Sequence, residues 1–229
     1  MTPVLRSAQG VTLIGGGAIA RADMAEALAL APAVMAADGG ADRALGFGVI
    51  PDAVVGDFDS LSDAARAAIP PDRLHPVAEQ ETTDFAKCLL RVRAPFVLGL
   101  GFTGPRADHL LSCLTTLVAI RTPPCLLLSE TDVILAAPPR LALNLPPGTR
   151  LSLYPLGQVR GRSTGLRWPL DGLTLAPWGQ VGTSNEVTGP VALDLDGPCI
   201  LILPRVQLGA ALTALGIEAP CGGTPSASP

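Results

Sequence analysis

The sequence predicts an α/β chain in two parts: an N-terminal parallel α/β domain followed by a C-terminal all-β sandwich domain. Three observations predict it. Short apolar runs at 11–14, 34–37, 53–56 and 96–100 alternate with helix-like stretches such as 21–30, the rhythm of parallel strands joined by crossover helices. From about Arg121 the rhythm changes, and Pro, Gly and Thr punctuate short runs at 126–129, 133–136, 151–154, 173–175 and 200–203. Pro123-Pro124 falls between the two regimes. The division expected is therefore 1–124 for the α/β part, 125–210 for the sandwich, and 211–229 for a tail whose Gly, Ser, Pro and Thr content predicts partial disorder.

Composition narrows the function classes. With 48% apolar residues the 229-residue chain can bury a sizeable core, and its net charge of −4, scattered Lys and Arg and 3% aromatic content lack the basic groove and stacking platform of a nucleic-acid binder. No apolar run approaches the roughly 18–20 residues of a bilayer span; 110–120 is broken by Ser112, Cys113, Thr115 and Thr116. Residues 1–10 show no apolar leader, so no export is expected. The five cysteines form no C-x-x-C pair and are odd in number, which predicts reduced core thiols and a cytoplasmic protein.

The elements place the polar clusters. Open α/β sheets bind ligands beyond the carboxyl ends of their strands, and the clusters fall there. Gly15-Gly16-Gly17 follows the first strand and serves either close phosphate approach or a plain tight turn. Asp38-Gly39-Gly40-Ala41-Asp42 follows the second, where Asp38 suits a ribose hydroxyl, a metal-bound water or an Asx turn. Gly56-Asp57-Phe58-Asp59-Ser60 follows the third. In extended geometry Asp57 and Asp59 share a face about 7 Å apart at Cα, within reach of one hard cation. The alternative is that Asp59 or Ser60 caps a helix at 62–69.

Two further clusters open helices. Phe85, Cys88, Leu89 and Val92 recur at i, i+3, i+4, i+7 with Thr82 or Thr83 as N-cap, which puts Asp84, Lys87 and Arg91 on the polar side. Asp84 then sits in the first turn beside free N–H groups, with Gln80 upstream and Lys87 in range of a phosphate oxygen or of Asp84 itself. The segment 101–109 opens a helix over 110–120, with Arg106 suited to clamping phosphate and Asp108 to binding metal or accepting a proton. Converging on one crevice, Asp57, Asp59, Asp84 and Asp108 with Lys87 and Arg106 are the equipment of Mg²⁺-assisted phosphoryl transfer. No G-x-x-x-x-G-K-[ST] loop is present.

These motifs in this order resemble the thiamine pyrophosphokinase family: Asp38-Gly39-Gly40-Ala41, Pro51-Asp52 leading to Gly56 through Ser60, Gln80 through Asp84-Phe85 to Lys87, Arg106-x-Asp108-His109, Gly165-Leu166-x-Trp168-x-Leu170, and Thr183-Ser184-Asn185-Glu186. The resemblance spans residues 36–187. It implies transfer of a pyrophosphoryl group from ATP to the hydroxyl of thiamine, giving thiamine diphosphate and AMP, by an α/β nucleotide-binding domain joined to a β-sandwich. It also implies a homodimer with shared active sites. By motif position Asp57, Asp59 and Asp84 become the Mg²⁺ and polyphosphate carboxylates with Asp38 nearby. Gln80, Lys87, Arg106 and Asp108 contact nucleotide phosphates or the thiamine hydroxyl, Ser184 and Asn185 meet the thiamine pyrimidine, and Trp168 packs on its rings or in the core. His75 and His109 are expected to be structural.

Three positions depart from the family pattern: Pro105 replaces a frequent Gly and removes an N–H donor, Cys113 replaces a common Asn, and Asp42 stands where eukaryotic members carry Asn. Two rival readings remain at this level. One is pyrophosphoryl transfer to another alcohol such as a hydroxymethylpterin, which the Thr183–Glu186 loop disfavours; the other is a non-catalytic nucleotide- or thiamine-binding module, which has little need for so many carboxylates facing a polyanion.

Overall fold

A computed structural model describes residues 2–218. In chain order, β1 (Leu5–Arg6) and β2 (Val11–Ile14) lead to α1 (Arg21–Leu30), β3 (Ala33–Ala37) to α2 (Gly40–Gly46), β4 (Ala53–Gly56) to α3 (Asp63–Ala68), β5 (Leu74–Pro76) to α4 (Asp84–Arg91), and β6 (Val92–Arg93) with β7 (Val97–Leu100) to α5 (Ala107–Ala119). Eight strands follow: β8 (Cys125–Leu128), β9 (Asp132–Ala136), β10 (Arg140–Leu143), β11 (Arg150–Pro155), β12 (Val159–Leu166), β13 (Thr174–Leu175), β14 (Gly182–Asp196) and β15 (Cys199–Pro204). Helix α6 (Leu208–Ala214) comes last.

Strands β2, β4, β7 and β8 are buried along their whole length, as near-continuous Val, Leu, Ile and Ala runs require when helices cover both faces of a parallel sheet. β3, β4 and β5 pair in parallel, β3 lies beside β2, and β2, β7 and β8 pair in parallel. The order then continues without a break through antiparallel β9, β15, β11 and β14.

The sequence division at 124/125 thus runs between two hydrogen-bonded parallel strands, since Val97 is paired with Cys125 and Leu100 with Leu128. Length hid this: a four-residue strand after a double proline reads equally well as the last strand of one sheet or the first of another. The β-rich half is built around β14. Its first residues pair with β11 (Leu151 with Asn185), and its later ones pair with β12 on one side and β10 on the other (Thr164 and Ala142 both with Ala192). Leu151, Leu153, Leu201 and Leu203 of one sheet share a core with Leu141, Leu143, Val191, Leu193 and Leu195 of the other, the inward-facing alternate residues of two packed layers.

Three local readings change. The cap of α3 is Ser62, whose Oγ accepts the Ala65 N–H at 3.1 Å, so Asp59 and Ser60 are released from that role. Residues 40–46 form a helix where two glycines had suggested a turn. Residues 211–214, assigned to the tail, belong to α6, with Ala211 and Leu212 fully in the core and Leu215 and Ile217 packed on the same cluster; residues 219–229 lie outside the described residues. The Thr83 cap of α4 stands as read, with Oγ1 accepting the Ala86 N–H.

Gly40 explains how α2 comes so close to β2. A Cβ there would lie 2.1 Å from the carbonyl oxygen of Ile14, against backbone that cannot move aside. Gly40→Ala should therefore destabilise the protein by about 2 to 3 kcal/mol, read as a lowered urea midpoint with unchanged slope. Gly46→Ala, with open space at the same test position, should be neutral or slightly stabilising.

Candidate active site

The carboxyl ends of β3 and β4 bring three acids together. Asp38, Asp57 and Asp59 each offer a carboxylate oxygen such that the three lie within 4.8 Å of one another. Asp38 is 96% buried at φ +46°, with its Cβ and Cα above Gly56; a Cβ on Gly56 would come within 2.8 Å of it. Its Oδ2 accepts the Ser60 N–H at 3.1 Å, while Oδ1 is buried without a hydrogen-bond partner among the described residues. Burial pushes its carboxyl above the ordinary carboxylate range, against the opposing pull of the Ser60 bond.

Asp57 and Asp59 are more open. Asp57 Oδ2 accepts from Gln80 Nε2 at 2.7 Å and Oδ1 from the Asp59 N–H at 3.3 Å. The Gln80 bond, then the Asp59 N–H and the nearby Lys87 charge, hold it below the ordinary value. Asp59 accepts only from the Ser60 hydroxyl, at 2.9 Å. Phe58 between them has φ +64°, which turns both carboxylates to one side, and its ring carries the Arg66 guanidinium at 5.4 Å.

Asp84, expected with this pair, stands outside the trio and bonds Lys87 Nζ through Oδ1 at 3.0 Å. Lys87 itself is 2% exposed, not on a solvated face. Burial lowers its pKa, but Asp84, then Asp57 and Glu79, outweigh that and raise it, so the ammonium is charged at neutral pH. Glu79 accepts the N–H groups of Glu81 and Thr82 and the Thr82 hydroxyl, which shapes the turn that delivers Gln80 to Asp57. Asp84, Asp57 and Glu79 thus act on one buried cation, and Asp57 is shared with the trio of Asp38 and Asp59.

Arg106 and Asp108, at the start of α5, are bound to each other by Nη2–Oδ2 at 2.6 Å and Nε–Oδ1 at 3.3 Å, both side chains 66% exposed. The guanidinium holds the Asp108 carboxyl down to about 2. A carboxylate that weakly basic is suited to orienting a donor rather than removing a proton. His109 is exposed in the same turn, and His75 is half-buried in β5, where burial lowers its pKa.

Ser184, Asn185 and Trp168 form a separate constellation in the β-rich half. Ser184 is exposed at φ +58°, its N–H donating to Ser152 Oγ at 2.9 Å. Asn185 is buried and its amide is engaged: Oδ1 accepts from Trp168 N at 3.1 Å and Glu186 N at 2.9 Å, and Nδ2 donates to Trp168 O at 2.7 Å. It fixes the backbone of Trp168, whose ring is 53% exposed with Arg167 at 5.1 Å. From β4 to β14 the sheet runs eight strand positions, which at about 4.8 Å each puts the two constellations on the order of 40 Å apart along it.

Some site residues escaped sequence reasoning. Asp42 accepts the Ser62 N–H at 3.2 Å and the Ser62 hydroxyl, tying α2 to the exit of the acid loop, and Glu79 was overlooked beside Gln80. One signal was available. Lys87 is the only lysine in a chain with fifteen arginines, a singularity that marks a position where Arg does not serve.

Known proteins share this arrangement of sequence and fold. Residues 24–127 match the family description "Thiamin pyrophosphokinase, catalytic domain" and residues 140–200 match "Thiamin pyrophosphokinase, vitamin B1 binding domain". The chain is 28% identical over 156 residues to thiamine pyrophosphokinase 1 of Oryza sativa subsp. japonica, a match covering 60% of this chain and 59% of that protein, so it spans under two thirds of this curated relative. Among solved structures, thiamin pyrophosphokinase from Candida albicans superposes with a TM-score of 0.74 at 16% identity over 89% of this chain and 94% of that one. The Bacillus subtilis enzyme gives 0.69 at 20% over 86% and 98%. At such identities the likeness is one of fold, a mixed α/β architecture with a large sheet.

The unpartnered Asp38 oxygen yields a prediction. A carboxyl with a raised folded pKa binds more protons folded than unfolded, so stability falls as pH rises from the ordinary carboxylate value through the raised one. Asp38→Asn keeps an acceptor for Ser60 and places N–H donors toward Asp57 and Asp59. In metal-free protein at pH 7.5 it should raise Tm by roughly 2 to 4 °C, a difference that vanishes when thermal scans are repeated below the ordinary carboxylate pKa.

Proposed function

We propose that this chain, which belongs to the thiamin pyrophosphokinase family, transfers the pyrophosphoryl group of ATP to the hydroxyl of thiamine, releasing AMP. The observation that carries the reading is the acid trio at the ends of β3 and β4 with one buried carboxylate oxygen lacking any partner. Three clustered hard oxygen donors fit Mg²⁺. Asp38, Asp57 and Asp59 would hold the ion, with Asp84 adjoining, and it would supply charge neutralisation at the polyphosphate.

The remaining roles belong to the protein's own groups. Lys87, charged and fixed by Asp84, offers its ammonium to a phosphate oxygen, and Gln80 orients Asp57. Arg106 in its fork with Asp108 presents guanidinium N–H groups at the start of α5 toward the nucleotide phosphates. The thiamine hydroxyl oxygen bonds to the β-phosphorus and gives its proton to water as the bridge to the α-phosphate breaks and AMP departs with that bridging oxygen; Asp108 orients the attacking hydroxyl. In the β-rich half, Ser184 and the open face of Trp168 receive the thiamine rings, with Asn185 holding Trp168 in place.

The separation of these two constellations along one sheet supports a homodimer in which the acids of one protomer meet the Ser184 loop of its partner. The family's two matched regions correspond to these two ends, an ATP end and a thiamine end. Cytoplasmic residence fits the four buried free thiols, Cys88, Cys113, Cys125 and Cys199. Among the described residues no helix is long and apolar enough to cross a membrane.

Incubation with ATP, Mg²⁺ and thiamine should yield thiamine diphosphate and AMP by mass; ADP with thiamine monophosphate, or product only with a pterin alcohol, would overturn the reading. Asp57→Asn should lower turnover by at least about a hundredfold, measured under saturating substrates. Mixing inactive Asp57→Asn and Ser184→Arg proteins should restore roughly one quarter of wild-type activity, because a C2 heterodimer keeps one intact site. No recovery after subunit exchange would exclude shared sites.

A further inference from the structure

We infer that Asp42 is a positioning residue that sets the geometry of the acid loop for its cation, an inference that rests on the Mg²⁺ reading of that loop. The loop leaves β4 at Gly56, carries Asp57 and Asp59, and enters α3 at Ser62. Its own internal bonds are few: Asp59 N to Asp57 Oδ1 at 3.3 Å and the Ser60 hydroxyl to Asp59 Oδ1. The stronger restraints come from outside: Gln80 Nε2 holds Asp57 Oδ2 at 2.7 Å, and residues 38–42 hold the rest of the loop. Asp38 Oδ2 takes the Ser60 N–H, a Cβ on Gly39 would sit 3.2 Å from Ser60 Cβ and O, and Asp42 takes both the N–H and the O–H of Ser62.

The two-point bond from Asp42 differs in kind from an ordinary cap. Ser62 Oγ already accepts the Ala65 N–H as cap of α3, so its proton is free to be donated, and Asp42 receives it. The serine hydroxyl is thereby oriented by both helices. Charged acceptors make the stronger hydrogen bonds, and a carboxylate held by two donors from one residue fixes direction as well as distance. Asp42 stands in the first turn of α2, whose approach to β2 is set by Gly40 against Ile14, so the loop's exit is anchored to the helix that follows Asp38, whose carbonyl accepts the Ala41 N–H at 3.0 Å. The three cation-facing carboxylates are thus referred to one frame: Asp38 directly, Asp57 and Asp59 through Ser60 and Ser62.

The test uses Asp42→Ala and Asp42→Asn in the full chain. Asparagine can keep both contacts, with its carbonyl oxygen accepting the Ser62 N–H and its amide donating to Ser62 Oγ. In metal-free protein, amide exchange at residues 58–62 should speed up about tenfold in the Ala variant, while α4 and β7 amides and Tm stay near wild type. Mn²⁺ affinity without nucleotide, followed by electron paramagnetic resonance, should fall roughly tenfold with Ala and within about threefold with Asn. Wild-type exchange and Mn²⁺ affinity in the Ala variant, or an Asn variant as impaired as Ala, would overturn the inference. If wild-type protein bound no Mn²⁺, the cation reading itself would fall, and the exchange rates would still decide whether Asp42 holds the loop.

Discussion

A carboxylate taken out of water and left with one oxygen unpaired is the constraint around which the N-terminal half is organised. Asp38 sits at the end of β3 in a left-handed conformation, its Cβ against the backbone of Gly56 at the end of the neighbouring strand. Such a group is costly to bury unless something positive completes it. Asp57 and Asp59 add negative charge to the same spot, and the structure answers with a lysine, a glutamine and backbone N–H groups held just outside it. The stability given up there leaves three hard oxygen donors together, one of them with an unpaired oxygen among the described residues.

The choice of lysine at position 87 follows from the same electrostatics. Every other cationic side chain in this protein is arginine, and several lie in open pairs such as Arg106 with Asp108 and Arg167 with Glu186. A planar guanidinium needs width and several acceptors, whereas an ammonium is a compact point charge on a thin stem. Lys87 is buried in a helix that also buries Phe85, Cys88 and Leu89, and its ammonium donates to Asp84. Sequence periodicity placed it among the solvated residues because it counts side chains by polarity, and the burial of a charged tip depends on partners from Asp57 and Glu79 that periodicity cannot see.

Elsewhere the legible and the illegible divide on a similar line. Strands β2, β4 and β7 announce themselves as near-continuous apolar runs and the Thr83 cap precedes a clean helical stripe, whereas Asp57 and Asp59 flank a left-handed Phe58 and not the extended backbone their spacing suggested. What comes from a neighbouring strand is not written locally: Asp38 as third member of the trio, Asp42 holding Ser62, and the parallel pairing of β8 with β7 across the double proline. Asn185 shows the converse. Its motif reads as a ligand contact, and the structure adds a second task that the motif does not show: its amide bonds both backbone groups of Trp168 and the Glu186 N–H. The full length of β14 was hidden by Gly189 and Pro190, residues that break a strand pattern but here fall where the strand changes partners.

That change of partners in β14 limits how this architecture can be taken apart. One continuous strand closes the long sheet against β11 and then forms the middle of the second layer between β10 and β12. Neither layer is complete without it, and the long sheet runs unbroken from β14 back to β2. The two regions matched by separate family descriptions, 24–127 and 140–200, are therefore joined through one continuous sheet that passes the double proline. Cutting there would open β8, a strand buried over its whole length, as a bare apolar edge, the kind of surface that recruits other chains instead of folding alone.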